Sequence, residues 1–497
     1  MHDILVIGGG INGTGIARDA AGRGLDVVLC EKDDLAQHTS SASTKLIHGG
    51  LRYLEQYDFG LVRKALIERE ILLKAAPHII WPMRFVLPHH NELRPAWLIR
   101  LGLFIYDHLG GRKLLPATTT LRRKSSARLD SLKEEYRLAF EYSDCWVEDS
   151  RLVVLNAVDA KSHGAEVMTR TRCTSLVRSG DHWDAVLESP KGSETRSFRA
   201  VVNAAGAWVD DVLGLDHGKK NETHLRLVKG SHIIVPRWHE GDYAYFFQNG
   251  DGRIMFAIPY ERGAFTLIGT TDVPYEANRD EVKITPDEIE YLCKGASEYY
   301  KRAITPADVV ATYSGVRPLY DDHAANASKV TRDYVLKLDD DGGAPVLSVF
   351  GGKITTYREL AEDALQTLDK VFPEAGGEWT RDADLPGGDM PRADFDGFYE
   401  GLRQDYPKLS ANLLQRLARA YGTDARRLLG QAETDGDLGR MFGASLTETE
   451  ARYLVEVEFA RTADDILWRR SKLGLHMSAA ERDAFAGWMA TEMAVKA

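Results

Sequence analysis

DILVIGGGINGTGIARDAAGRGLDVVLCEK, residues 3–32, runs from an apolar strand through three spaced glycines into a helix and out along a second apolar strand. Ile4, Leu5, Val6 and Ile7 predict a buried parallel strand. Gly8 permits the tight turn off it, Gly10 lets backbone approach a pyrophosphate with no Cβ in the way, and Gly13 lets the helix lie close to the strand. The helix is predicted to open near Ile11 and Asn12, aiming unpaired N–H groups and its positive dipole end at phosphates. The second strand, over 25–30, ends at Glu31, a carboxylate suited to the ribose hydroxyls of an adenosine. Lys32 alone would suit a 2′-phosphate, but Glu31 would repel that group, so NADP is disfavoured. FAD or NAD remains.

The chain has 497 residues, enough for two or three domains with substantial cores. Hydrophobic residues make up 44% and charged residues 28%, an ordinary globular balance. A net charge of −11 argues against general nucleic-acid binding, while leaving room for a local cationic pocket. Cys30, Cys145, Cys173 and Cys293 lack CxxC spacing, so no disulfide framework, zinc or other metal site, or dithiol pair is expected. The first residues lead directly into the nucleotide strand, leaving no room for a signal peptide, and no apolar run approaches the roughly 20 residues that span a bilayer. A cytoplasmic protein is expected.

Beyond the first unit the middle of the chain is strand-rich: HWDAVLES, SHIIVP, RIMFAIPY and AFTLIGTTD alternate with turn signals. AVVNAAGAW (200–208) is a short apolar strand entering a small-residue turn, able to complete the nucleotide domain from far away in sequence. From about residue 380 the pattern becomes helical, with LPGGD (385–389) as part of a linker. Thr447 with Glu450, Thr462 with Asp465 and Ser478 with Glu481 have capping-box spacing, and Leu413, Leu414, Leu417 and Tyr421 form an apolar helical stripe. Between Asn91 and Ser125, Arg94, Arg100, Arg112, Lys113, Arg122, Arg123 and Lys124 bracket the apolar AWLIRLGLFIY. That segment suits either a core helix with solvated charged ends or a helix lying on an anionic membrane surface.

Four further stretches carry a family likeness: TSSASTKLIHGGLRYLE (39–55), KGSHIIVP (229–236), YSGVRPL (313–319) and FGGKITTYR (350–358), with GTTD (269–272) and VTRDY (330–334) beside them. In this order they closely resemble the FAD-dependent glycerol-3-phosphate dehydrogenases, particularly the bacterial aerobic respiratory type, over essentially the whole chain. The resemblance implies an α/β fold: a Rossmann-type FAD domain, an inserted antiparallel-sheet substrate domain of the D-amino-acid and glycine oxidase kind, and a C-terminal helical domain. It places an oxidoreductase region over 1–379, with FAD-binding parts at about 1–75, 145–225 and 310–379, cap parts at about 76–144 and 226–309, and the helical domain over 380–497. It selects FAD over NAD, and no second GxGxxG unit is present to dock a nicotinamide.

The implied reaction is oxidation of glycerol 3-phosphate to dihydroxyacetone phosphate, by hydride transfer from C2 to FAD and onward transfer of electrons to a quinone. A dianionic substrate needs fixed cations. Arg52, Arg317 and Lys353 stand at the family's motif positions, with Arg332, Tyr53 and Thr271 as further substrate contacts. His232 is the candidate base for the C2 hydroxyl proton, and Arg317 the alternative stabiliser of a developing alkoxide. The implied cofactor set adds Thr39, Ser40, Ser41, Ser43, Thr44, Lys45, His48, Gly49, Gly50, Ala205, Gly206, Trp208, Gly352, Lys353, Ile354 and Thr355 to the N-terminal motif. A homodimer, peripheral on the inner face of the cytoplasmic membrane, is also implied. An oxidase delivering electrons to oxygen stays open as an alternative; a flavoprotein sensor without catalysis is the remoter one.

Overall fold

The computed structural model describes residues 1–112, 114–216, 225–321 and 333–496. Two sheets carry the first three-quarters of the chain. The apolar run at the start forms the strand His2–Ile7, which pairs in parallel with Val27–Glu31 on one side and with Gly192–Asn203 on the other. Strand Val346–Phe350 adds in parallel beyond Gly192–Asn203, and Glu166–Thr169 beyond Val27–Glu31. The AVVNAAGAW segment therefore completes the nucleotide sheet. Val27–Glu31 is buried along its whole length, as a strand covered on both faces must be.

Helix Ile11–Gly22 covers one face beside Asp149–Ser162 and Tyr357–Thr367. Gly13 makes that packing possible: a Cβ there would stand 1.9 Å from the Gly8 carbonyl oxygen. Buried ion pairs tie the helices together. Arg18 Nε lies 2.5 Å from Asp159, and Arg358 donates to Glu68 at 2.6 and 2.9 Å. The latter contact fixes the helix that follows FGGKITT.

The second sheet has ten strands. Its order runs from Val273–Pro274 through Leu225–Pro236, Phe265–Gly269, Ile254–Tyr260, Tyr243–Gln248, Ile80–His89 and Leu138–Val147 to Leu46–Ile47, with Ala311–Tyr320 on Leu225–Pro236 and Thr119–Arg122 on Leu138–Val147. Pairing is antiparallel except where Tyr243–Gln248 meets Ile80–His89. Leu46–Ile47 and Ala311–Tyr320, which fall within the stretches assigned to FAD binding, pair in this second sheet.

The C-terminal helices share their own core, with Leu413, Leu414, Leu417 and Tyr421 all within it. All three capping pairs form: the Glu450, Asp465 and Glu481 N–H groups donate to the hydroxyls of Thr447, Thr462 and Ser478. The 385–389 stretch is a firm connection, because the Leu385 N–H donates to the Ala75 carbonyl at 2.9 Å and Gly388 sits tightly beneath it.

Candidate active site

The glycine turn opens a cleft of about 360 Å³ between the first strand, the 31–40 loop and the 204–208 turn. At Gly10 an added Cβ would meet only Ser40 Oγ, at 3.1 Å, so the helix start faces open space, while Ile11 N–H donates to the same hydroxyl. Glu31 stands at the cleft wall. Its carboxylate accepts from the N–H groups of Gly9 at 2.6 Å and Asp33 at 2.8 Å, and burial nonetheless raises its pKa. Lys32 spends its charge on Asp33 and Asp280, and its ammonium lies 4.5 Å from the Trp208 ring. These pairs outweigh partial burial and raise the Lys32 pKa. Ala205, Gly206 and Trp208 line the opposite side.

Thr171, Arg172, Cys173 and Thr174, which no motif marks, supply another wall. Glu31, Asp33 and His38 bring possible ligand atoms within 4.8 Å of one another, yet backbone N–H groups, Lys32 and His38 itself already satisfy the two carboxylates. That cluster is a cross-link of the loop.

The second half of the site lies where FGGKITT reaches the N-terminal helix. Asn12 Nδ2 donates to the Gly351 carbonyl at 3.0 Å, and the other amide atom, Oδ1, is buried with no partner among the described residues. Gly352 lies against Asn12. Thr355 Oγ1 accepts from the His48 N–H at 3.3 Å, joining the two turns, and the Gly49 N–H donates to the Tyr106 hydroxyl at 2.8 Å, tying the first of them to the helix Ala96–Leu109. Gly50 has Tyr53 folded over it, and Lys353 Nζ lies 4.2 Å from the Tyr53 ring centroid. Burial, then the charges of Lys353 and Arg69, lower the His48 pKa against the pull of Asp144. Ile354 begins the short 3-10 turn Ile354–Thr356, and Arg52 is exposed beside Tyr53.

The third part is the strand pair Leu225–Pro236 and Ala311–Tyr320. Their register sets Val228 opposite Arg317, Gly230 opposite Gly315 and His232 opposite Tyr313. Side chains two apart share a face, so Arg317 and His232 point the same way. Gly230 between them is required: a Cβ would come within 2.4 Å of Arg317 Nη2. Arg317 also contacts Asp272 at 3.1 Å and Thr270 Oγ1 at 3.2 Å. His232 stacks on Tyr313 with ring centroids 4.7 Å apart, its Nε2 lies 3.0 Å from Thr44 Oγ1, and its Nδ1 has no partner among the described residues. Burial, then Arg317 and Lys45, push its pKa well below the ordinary histidine value, so the imidazole is neutral.

Several of the expected contact residues have partners within the protein. Thr271 is spent on the opposite face, where its hydroxyl donates to Glu288 at 2.8 Å and accepts from the Ser231 N–H at 2.9 Å. Thr39, Ser41 and Ser43 turn their hydroxyls to Val316 O, His38 O and Asp149. Lys45 is buried against Asp149 at 2.7 Å. These residues hold the 39–45 segment beneath His232. Arg332 lies outside the described residues. Tyr313 and Gly230 were in quoted motifs, so a signal for them existed, whereas 171–174 reads as an ordinary strand.

A glycine-lined dinucleotide cleft, joined to a sheet that presents a neutral histidine and guanidinium on one face, defines a flavin-dependent oxidoreductase. The FAD dependent oxidoreductase family matches residues 3–358, and the C-terminal domain of alpha-glycerophosphate oxidase matches residues 379–495. The chain is 54% identical over 488 residues to D-erythritol 1-phosphate dehydrogenase of Brucella abortus, covering 98% of this chain and 97% of that one. It is 50% identical over 490 residues to the aerobic glycerol-3-phosphate dehydrogenase of Escherichia coli, covering 98% and 97% respectively. A crystal structure of the glycerol-3-phosphate dehydrogenase from Bacillus halodurans complexed with FAD matches at a TM-score of 0.80 and 27% identity, over 99% of this chain and 91% of that one. Glycine oxidase from Bacillus cereus, at 18% identity and a TM-score of 0.55 over 75% of this chain and 96% of its own, shares the fold. The chain belongs to the FAD-dependent oxidoreductase family, in its glycerol-3-phosphate dehydrogenase branch, and its cofactor is FAD.

Asn12 is the side-chain tie between the two ends of the cofactor site. A lost hydrogen bond of about 1 kcal/mol predicts that Asn12→Ala weakens FAD binding roughly fivefold, as read by titrating flavin fluorescence into the flavin-free protein.

Proposed function

We propose that the protein oxidises sn-glycerol 3-phosphate to dihydroxyacetone phosphate and passes the electrons to a membrane quinone. The observation that carries this reading is the shared face of His232 and Arg317, a neutral acceptor of a proton beside a fixed cation. FAD, when bound, supplies the acceptor for the hydride leaving C2. Arg317, Lys353 and Arg52 offer the positive charge that replaces the hydration of a phosphate dianion, and a guanidinium can hold two phosphate oxygens at once. His232 takes the C2 hydroxyl proton. Its neutrality comes from burial and neighbouring cations, so the base remains available below the usual histidine range. Arg317 also steadies negative charge developing at the same oxygen.

The 54% relative acts on a four-carbon polyol phosphate. The same cations would serve D-erythritol 1-phosphate, and that substrate is the second reading. Comparing kcat/KM for the two polyol phosphates decides between them.

For the electron acceptor, the basic apolar segment provides support. It forms the helix Ala96–Leu109, which buries Leu103 and Tyr106 and exposes Trp97, Leu101 and Phe104 by 69%, 48% and 51%. Positions 97, 101 and 104 lie on one helical face. Tyr57 and Phe59, 78% and 41% exposed, follow the 51–56 turn against which this helix packs. With Arg94 exposed just before the helix, such a face fits shallow seating on anionic lipid in spite of the net charge of −11. No described helix is long and apolar enough to cross the bilayer.

Arg317→Ala is expected to lower kcat/KM about a hundredfold with flavin retained, since a charge-assisted contact is worth about 1.5 to 3 kcal/mol. Removing that charge also raises the His232 pKa, so the acid limb of kcat/KM against pH moves upward in the variant; normal turnover at subsaturating substrate contradicts the assignment. Reduced enzyme should reoxidise faster with a quinone analogue than with air, and the reverse identifies an oxidase. Trp97→Ser with Phe104→Ser should reduce liposome flotation on anionic vesicles severalfold while sparing turnover with a soluble dye.

A further inference from the structure

Among the described residues the C-terminal helical domain contributes none to the cleft, yet it reaches the back of that cleft through buried charge. Asp34, three residues beyond Glu31, is 1% exposed and faces away from the nucleotide side. Arg470, itself wholly buried, donates to both Asp34 oxygens, one of these bonds measuring 2.8 Å. Arg469 Nε reaches Asp34 at 2.5 Å and its other end reaches Asp465. Asp465 in turn grips Arg170 at 2.8 and 2.9 Å. Burial alone would raise the Asp465 pKa, but Arg170, Arg469 and Arg470 hold it down to about 2. The Arg470 guanidinium is fixed from behind by the Glu458 carbonyl at 2.7 and 3.0 Å, and Glu458 pairs with Arg151 of the helix Asp149–Ser162.

The two residues gripped, Asp34 and Arg170, each adjoin a wall of the adenosine end of the cleft. Glu31, Lys32 and 36–40 form one wall and 171–174 the other. The walls are stitched by backbone where the network holds them: the Arg170 N–H donates to Asp33 O at 2.8 Å and the Thr171 N–H to Glu31 O at 2.7 Å. Arg170 sits at φ +52°, a left-handed turn that costs a non-glycine residue energy and persists because its surroundings hold it. A wall fixed before the cofactor arrives loses no conformational freedom when the cofactor binds.

We propose that the C-terminal domain is a cofactor-retention element, in which Arg469, Arg470 and Asp465 set the spacing of the adenosine walls through Asp34 and Arg170. These are positioning residues. Deleting one partner of such a buried pair leaves the other uncompensated, so the wall shifts to find water.

The test uses the holoenzyme. Arg470→Gln and Asp34→Asn are expected to release flavin on dilution at least tenfold faster, as followed by the rise of free-flavin fluorescence, while KM for the polyol phosphate in excess FAD stays within twofold. Lys408→Ala, which breaks the exposed pair with Glu433 in the same domain, should leave release unchanged. Arg469→Lys retains a cation and should recover most of the slow release lost in Arg469→Gln. If a buried variant fails to fold, the Arg469 pair decides alone, since that side chain is 14% exposed. Folded variants that melt earlier but release flavin at the parent rate overturn the proposal, as does an equal effect from Lys408→Ala.

Discussion

The pairing of Leu225–Pro236 with Ala311–Tyr320 is the constraint on which the site depends. Its register, Gly230 against Gly315, divides the side chains by parity. Even positions 228, 230 and 232, with their partners 317, 315 and 313, make up the face to which we assign the reaction. The odd positions serve the other face: Lys229 and Ser231 meet Glu288 on the helix Pro286–Ser297, and Thr271 is drawn into the same network. A slip of one residue would bury the cation and expose the anchor. The helix face thus pins the register, with a lysine, two hydroxyls and a capping box all converging on one carboxylate. The placing of His232 and Arg317 on one side is maintained by a structural network on the other.

Electrostatics follow a similar division. The chain carries a net charge of −11, so a positive site must be kept from its own carboxylates. Where a cation is to stay inside the framework it is matched closely, as Lys45 is by Asp149 and Arg358 by Glu68. Arg317 is held more loosely, 40% exposed at 3.1 Å from an exposed aspartate, an arrangement that an incoming dianion can compete with. The depressed pKa of His232 belongs to the same design, because burial and two nearby cations hold it neutral.

Much of the cofactor half was legible because its requirements are local. A strand, glycines at three positions, a helix and an acid follow one another within thirty residues, and each has a steric or electrostatic reason. The motifs around His48, His232, Arg317 and Lys353 were legible through family likeness, and the structure brings His48 beside Lys353 and His232 beside Arg317. What escaped depended on faces and distant partners. Thr271 reads as a substrate contact, and its hydroxyl is engaged by Glu288 and the Ser231 N–H. Ser43 and Lys45 read as cofactor contacts, and their side chains both bond to Asp149, more than a hundred residues away, a partner no local motif announces. Residues 171–174 have the pattern of any half-buried strand. The basic segment was ambiguous in principle, since composition cannot say whether the apolar stripe of an amphipathic helix meets protein or solvent; Trp97 and Phe104 meet solvent.

The strand order of the nucleotide sheet has a consequence for biosynthesis. The strand His2–Ile7 lies beside the strand Gly192–Asn203, which is synthesised well after it, and that strand pairs with Val346–Phe350. Asn12 then waits for the carbonyl of residue 351. Loop closures of that length are slow, and their partners do not exist until most of the chain has been translated. The glycine turn therefore emerges ahead of its partners as a half-built receptacle with apolar edges uncovered, and the cofactor site is completed only once residue 351 has been made.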